Sequence, residues 1–193
     1  MSYDISLVDP VTNKTLELPS EHLMIGGTYV AKYDEINSTF IPKPITDAWL
    51  NVTYNYSSYY YSASENDSRF ERNGKNCGIE GLIDKTGYES ISMLESMIQK
   101  IKDKYFVNGD WITTKRNKTR YLDKNGKVVD DSFILEEIIN GNISKYTKEE
   151  YVDDIDEGAV HNYWDATAAN AIKPLYQLIA MAKLRPDGIW KVE

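Results

Sequence analysis

Residues 46–61, TDAWLNVTYNYSSYYY, hold the densest set of groups able to recognise a ligand. Trp49, Tyr54, Tyr56, Tyr59, Tyr60 and Tyr61 offer flat apolar faces and, in the tyrosines, hydroxyl donors. Asn51 and Asn55 each combine a carbonyl acceptor with an amide donor. That combination suits a nucleobase, a sugar or the aromatic side chain of a partner. Thr28, beside Gly26-Gly27, could help present backbone N–H groups to an anion, and His161 and Trp164 precede the C-terminal helix. The candidate ligand set is therefore Trp49, Asn51, Tyr54, Asn55, Tyr56, Thr28, His161 and Trp164. The competing use is structural: the aromatics pack against the terminal helix, the amides satisfy nearby backbone, and Gly-Gly turns the chain between strands.

Catalytic signatures are sparse. The glycine pair lacks the spacing of a phosphate loop. There are two histidines, His22 and His161, whereas a metal site needs several His, Cys or carboxylate ligands at set intervals. Glu157, His161 and Asp165 fall four residues apart and would share one face if helical, but a capping or hydrogen-bonding histidine accounts for the same residues. No metal and no cofactor are expected. Cys77 lies in a polar stretch with no base beside it, which favours a free surface thiol over a nucleophile. Carboxylates are many, yet no pair has a spacing that implies divergent acid and base roles.

A second candidate surface is charged. Lys115, Arg116, Lys118 and Arg120 form a basic patch suited to a partner, and Glu149, Glu150, Asp153, Asp154, Asp156 and Glu157 form an acidic run. Both also fit solvated faces that pair with each other.

The whole chain bounds these options. It has 193 residues and a net charge of −8, which disfavours direct binding to nucleic-acid phosphates and is compatible with a basic protein partner. Met1-Ser2-Tyr3-Asp4 has neither a basic nor an apolar leader, no apolar run is long enough to span a bilayer, and there is one cysteine. A cytoplasmic location without membrane contact is expected, so the seven Asn-x-Ser/Thr triplets reflect composition rather than glycans.

The elements that must position these residues read as α+β: an N-terminal β-hairpin and short strands packed on two or three helices, in a single domain over 1–193. Residues 3–18 form the hairpin, 31–45 a proline-stiffened loop, and 62–78 a mobile loop with a turn at Asn73-Gly74. Residues 47–61 are open between strand and helix, with capping and length tilting towards helix. Thr86 with Glu89 makes a capping box for a helix with Ile91, Leu94, Met97, Ile98 and Ile101 on one stripe. A mixed, charged insertion is expected at about 102–158, containing a hairpin turn at Lys124–Lys127 and a short helix or strand at Phe133–Ile139. The C-terminal helix, capped by Asp165 or Thr167, sets Ala168, Ala171, Leu175, Leu178, Ile179 and Ala182 on one side. Pro174 bends or divides it, Pro186-Asp187-Gly188 stops it, and Ile189 and Trp190 fold back.

The blocks IGGTY, AWLNVTYNYSSYYY, GIEGLIDKTGYESISMLE and HNYWDATAANAIKPL with AKLRPDGIW carry a likeness that extends over roughly half of the chain. Together they resemble an uncharacterised group of small proteins from low-GC Gram-positive bacteria and their phages. The resemblance implies that 31–45 and 102–158 are insertions here, and it implies no activity or catalytic residue. Three functions remain open. One is a non-enzymatic binding protein, phage- or prophage-encoded, that inhibits or sequesters a host protein or a small nucleotide-like ligand. Another is an enzyme acting on a nucleotide or sugar-like substrate, with Asn51, Tyr54, Asn55 and His161 lining its pocket. The third is a structural subunit of a homo-oligomer, paired through the alanine face of the terminal helix.

Overall fold

The structure is a computed structural model that describes residues 2–23 and 31–193. Thr28 and the Gly26-Gly27 pair lie outside the described residues. In chain order the elements are β1 (Ser2–Val8), β2 (Glu17–His22), β3 (Ala31–Asp34), β4 (Thr39–Pro42), β5 (Ile45–Asp47), β6 (Trp49–Thr53), α1 (Ser57–Ser64), β7 (Glu71–Arg72), β8 (Lys75–Asn76), α2 (Gly87–Tyr105), β9 (Phe106–Val107), β10 (Asp110–Trp111), β11 (Thr113–Leu122), α3 (Asp131–Ile139), β12 (Thr147–Asp156), α4 (Ala168–Leu184) and β13 (Ile189–Val192). The architecture is α+β with small antiparallel sheets. Contacts divide it into two compact units, Met1–Ile112 with Glu157–Glu193, and Thr113–Asp156.

The first unit is built on a three-stranded sheet in the order β13-β1-β6. Alternation along β1 points Tyr3, Ile5 and Leu7 into the core, opposite Val52 and Leu50 of β6 and Trp190 of β13. The chain does turn back after β1: Asp9 accepts from the backbone N–H groups of Val11 and Thr12, and Leu16 N–H donates to the Leu7 carbonyl. However, β2 then leaves to pair with β5, and β1 is a central strand whose ladders belong to β6 and β13. Residues 31–45 are not a loop, since β3 and β4 form a hairpin and β5 follows. Residues 47–61 are both things the sequence allowed. Leu50 and Val52 alternate as a strand through Thr53, whose side chain then caps a 3₁₀ turn leading into α1. Residues 62–78 are ordered into the end of α1, a 3₁₀ turn and the β7–β8 hairpin, with Asn73 and Gly74 at positive φ (52° and 70°) in its turn.

Helices α1, α2 and α4 cover the apolar side of the sheet. The stripe foreseen on α2 is buried at Leu94, Met97, Ile98 and Ile101, and α4 buries all six of its foreseen residues. The two long helices satisfy their N-terminal N–H groups by parallel means. At α2 the capping box forms, while Gly87 and Tyr88 donate to the carbonyls of Gly188 and Pro186. A methyl group on Gly87 would sit 2.4 Å from the Arg185 carbonyl oxygen, so only glycine permits that approach. At α4 the cap is Thr167, accepting from Asn170 N–H, and Asp165 does not serve. Pro174 is accommodated within an undivided helix. The return of Ile189 and Trp190 is a strand rather than a loose clasp, and Trp190 is fully buried with its indole N–H donating to Ser90 Oγ at 2.7 Å.

The second unit is a ribbon of β11 and β12 paired over ten residues, from Thr113↔Asp156 to Leu122↔Thr147. The turn expected at Lys124–Lys127 forms, closed by hydrogen bonds to Asp123, and Val128 bridges back to Leu122. Phe133–Ile139 falls in α3, ended by Gly141 at φ 72°. The insertion expected at about 102–158 thus compares with a unit spanning Thr113–Asp156, because α2 continues through Tyr105. Its two ends meet, since Glu157 N–H donates to the Ile112 carbonyl at 3.2 Å. Among the described residues, no helix is long and apolar enough to cross a membrane.

Trp190→Ala removes the largest buried side chain and leaves Ser90 short of a donor. We expect a loss of about 3–5 kcal/mol in urea unfolding, against about 1–3 kcal/mol for Ser90→Ala, which keeps the core volume but leaves the buried indole N–H without an acceptor and removes the Ser90 hydroxyl's bond to the Gly87 carbonyl.

Candidate functional site

The aromatic-amide stretch lies along β6 and α1 and gathers around residues 157–171. Three tyrosines of α1 and the turn before it, Tyr56, Tyr59 and Tyr60, are almost fully buried. The Tyr56 hydroxyl donates to the Tyr163 carbonyl and the Tyr60 hydroxyl to the Ala171 carbonyl at 3.0 Å. The Tyr59 hydroxyl lies 2.5 Å from Glu157 Oε2 and 2.8 Å from the Ala166 carbonyl. Burial pushes the Tyr56 and Tyr60 hydroxyls well above the ordinary phenol value, so both stay protonated donors.

Asn55 donates its amide to the Trp164 carbonyl at 2.7 Å. Asn51 donates to Ser2 Oγ at 2.8 Å and to Asp4 Oδ1 at 2.9 Å. A carboxylate can only accept, so Asp4 determines which way the Asn51 amide faces. Its side-chain amide oxygen, Oδ1, is left buried with no hydrogen-bond partner. Trp49 is half-buried on the same side of β6 as Asn51, and Tyr54 is exposed, edge-on to Tyr3 at 4.2 Å between centroids. Trp164 and His161 are both exposed in the segment before α4. The structure thus brings Asn55, Tyr56 and Trp164 together around Tyr163, with Asn51 adjoining through its backbone.

Tyr163 was not singled out by its sequence, and it has a specific task. Its hydroxyl accepts from Thr53 N–H at 3.3 Å and donates to the Asn51 carbonyl at 3.4 Å, so one side chain satisfies the outward backbone groups of strand β6. Glu157 was visible as the end of an acidic run and as one of three residues spaced four apart, neither of which points to its task. It is fully buried and serves the start of α4 twice: its carboxylate accepts from Ala168 N–H at 2.8 Å and its carbonyl from Ala169 N–H at 2.9 Å. Asn170, also buried, donates to the carbonyls of Asn162 and Asp165. The one sequence signal for this set was a polar residue flanked by alanines, Ala168-Ala169-Asn170-Ala171, on a face otherwise too apolar to hold it.

Glu157, His161 and Asp165 do not share a helical face, because the helix begins only at Ala168 and the residues between are turns and irregular backbone. Among the described residues, no group of three or more His, Cys, Asp or Glu is placed to hold a metal ion. His22 hydrogen-bonds the Asp47 carbonyl through Nε2, and the Cys77 thiol, half-buried, faces the Lys75 carbonyl at 3.3 Å.

The charged candidate residues all lie on the ribbon of the second unit. Cross-strand register puts Lys115 opposite Asp154, Arg116 opposite Asp153 and Arg120 opposite Glu149. Lys118 reaches Asp153 at 2.6 Å, Lys115 stands 3.9 Å from Asp154, and Arg120 pairs with Glu149 while lying over the Tyr151 ring. These exposed pairs contribute little stability each, but they neutralise the basic patch in place. Beside them is a cleft of about 570 Å³ lined by Lys118, Thr119, Arg120, Val128, Val129, Asp130 and Tyr151. The same unit carries α3, where Ile134 is buried and Phe133, Leu135, Ile138 and Ile139 are exposed.

Comparison of the chain with protein-family models, with curated proteins and with solved structures returns no match.

Glu157→Ala strips the first turn of α4 and Tyr59 of a shared buried acceptor. We expect a loss of about 2–4 kcal/mol in urea unfolding, with Glu157→Gln losing less than half of that because its carbonyl oxygen still accepts. No measurable loss for Glu157→Ala would show that the carboxylate does not hold the helix start.

Proposed function

We propose that this is a non-enzymatic binding protein that engages another protein through the Thr113–Asp156 unit. The observation that carries this reading is the state of α3. Leu135 and Ile139 are 60% and 76% exposed, with Phe133 and Ile138 close behind, on a nine-residue helix. Contiguous apolar side chains left in water on a small unit favour a docking role, since their burial against a partner releases about 25 cal/mol per Å². The ribbon supports the same division of labour. Lys115, Lys118 and Arg120 are already answered by carboxylates across the strand, so the charged ladder is occupied internally and α3 supplies adhesion.

The internal use of the aromatic-amide groups supports placing the contact on the arm. Tyr56, Tyr59, Tyr60, Asn55 and the Asn51 amide nitrogen all spend hydrogen bonds inside the first unit. The resemblance to small proteins of low-GC Gram-positive bacteria and their phages makes a bacterial host protein the expected partner, and inhibition or sequestration the expected outcome.

The test is comparative capture from a bacterial lysate. Because Ile112 and Glu157 are hydrogen-bonded neighbours, a short Gly-Ser bridge can replace 113–156. The full chain should retain a discrete partner that the bridged version, shown to be folded by cooperative unfolding, does not. Equal capture by both forms, or by neither, sinks the reading.

A further inference from the structure

The spacing and charge of α3 say what kind of surface it fits. Leu135, Ile138 and Ile139 stand three and four residues apart, so they line one stripe that continues outward from buried Ile134. Phe133 turns aside to meet the Tyr146 ring, 6.3 Å away and edge-on. The segment 130–139, DDSFILEEII, holds four carboxylates and neither lysine nor arginine. Glu136 is exposed beside the stripe, and Glu137 is half-exposed near the Tyr146 hydroxyl.

We infer that α3 docks as a helix against a cationic apolar surface of its partner, a hydrophobic stripe or groove flanked by lysine or arginine. The inference rests on the arm being the binding unit and adds the chemistry of what the arm meets. Leu135, Ile138 and Ile139 are the anchors, in the spacing by which amphipathic helices seat in grooves. Glu136 supplies a charge that selects basic partners and rejects acidic ones. A second copy of this chain is disfavoured as occupant, because pairing α3 with itself would set the exposed Glu136 of one copy against the same acidic segment of the other.

The probe is a synthetic amphipathic peptide with leucines at i, i+3, i+4 and i+7 and lysines elsewhere, titrated against the full chain. Its counterpart carries glutamate in place of lysine. The lysine peptide should bind at least about tenfold more tightly than the glutamate peptide, with the difference shrinking as salt screens the charges. Leu135→Gln with Ile139→Gln leaves net charge unchanged and should weaken the lysine peptide by about tenfold or more. Glu136→Lys, at an exposed position that leaves the anchors in place, should weaken it several-fold and narrow the preference between the two peptides. Circular dichroism and urea unfolding check that each variant keeps its fold. No binding of the lysine peptide, equal binding of both peptides, or indifference to these substitutions would overturn the inference. So would a homodimer in sedimentation that Leu135→Gln with Ile139→Gln abolishes. If the bridged form lacking 113–156 still loses a partner that the full chain captures, the arm reading survives and only the chemistry assigned to α3 is wrong.

Discussion

Every helix begins with backbone N–H groups that have no partner within the helix, and two of the helices in this fold begin in or beside the core. How those donors are answered ties distant parts of the first unit together. At α4, Glu157 answers two of them and Thr167 a third, and the same Glu157 carboxylate meets the buried Tyr59 hydroxyl of α1. At α2 the capping box answers one and the carbonyls of Pro186 and Gly188, just past the end of α4, answer the next two. Each helix start therefore depends on a segment remote in sequence. An unanswered buried donor costs about 1–3 kcal/mol, a sizeable share of the net stability of a small domain.

The same logic explains the concentration of tyrosine. Residues 157–167 carry no helix or strand beyond the end of the ribbon, yet they run close to the core and present carbonyls that water does not reach freely. Tyrosine fills core volume and still delivers one hydroxyl. Tyr56, Tyr59 and Tyr60 pack as core; Tyr56 and Tyr59 spend their hydroxyls on this segment and Tyr60 on the Ala171 carbonyl in the first turn of α4, while Tyr163 from the segment itself returns one to the edge of β6. A cluster that resembles a recognition surface in sequence is, in its contacts, largely a set of internal anchors.

The second unit is organised on other terms. Its ladder sets a cation directly against a carboxylate at three of its ten cross-strand pairs, and among the described residues it buries little apolar surface apart from Ile134. Its ribbon is held by backbone pairing over ten residues, to which the cross-strand charge pairs add little each. The apolar residues it does carry are left outward on α3, and that asymmetry underlies the function proposed for it.

Much of the local structure was legible because it follows from neighbours in sequence. The Thr86–Glu89 capping box, the apolar stripes of α2 and α4, the turns at Asn73-Gly74 and Lys124–Lys127, and the stop at Pro186-Asp187-Gly188 all rest on interactions spanning a few residues. The α+β class followed from their sum. Pairing partners were not legible, because alternation shows that a residue lies on a strand and not which strand lies beside it. So β1 turned back as expected yet pairs with β6 and β13, and 31–45 folded into strands that its polar, proline-bearing composition concealed. The candidate site shows the same division. Its donors and acceptors could be counted from Asn51, Asn55 and the tyrosines, and the charges of 115–120 and 149–157 could be seen to match. Whether those groups would face a ligand, a partner or one another depended on bonds spanning up to about a hundred residues, such as Tyr56 to Tyr163 and Asn51 to Tyr163, and only tertiary packing decides which acceptor a buried donor reaches.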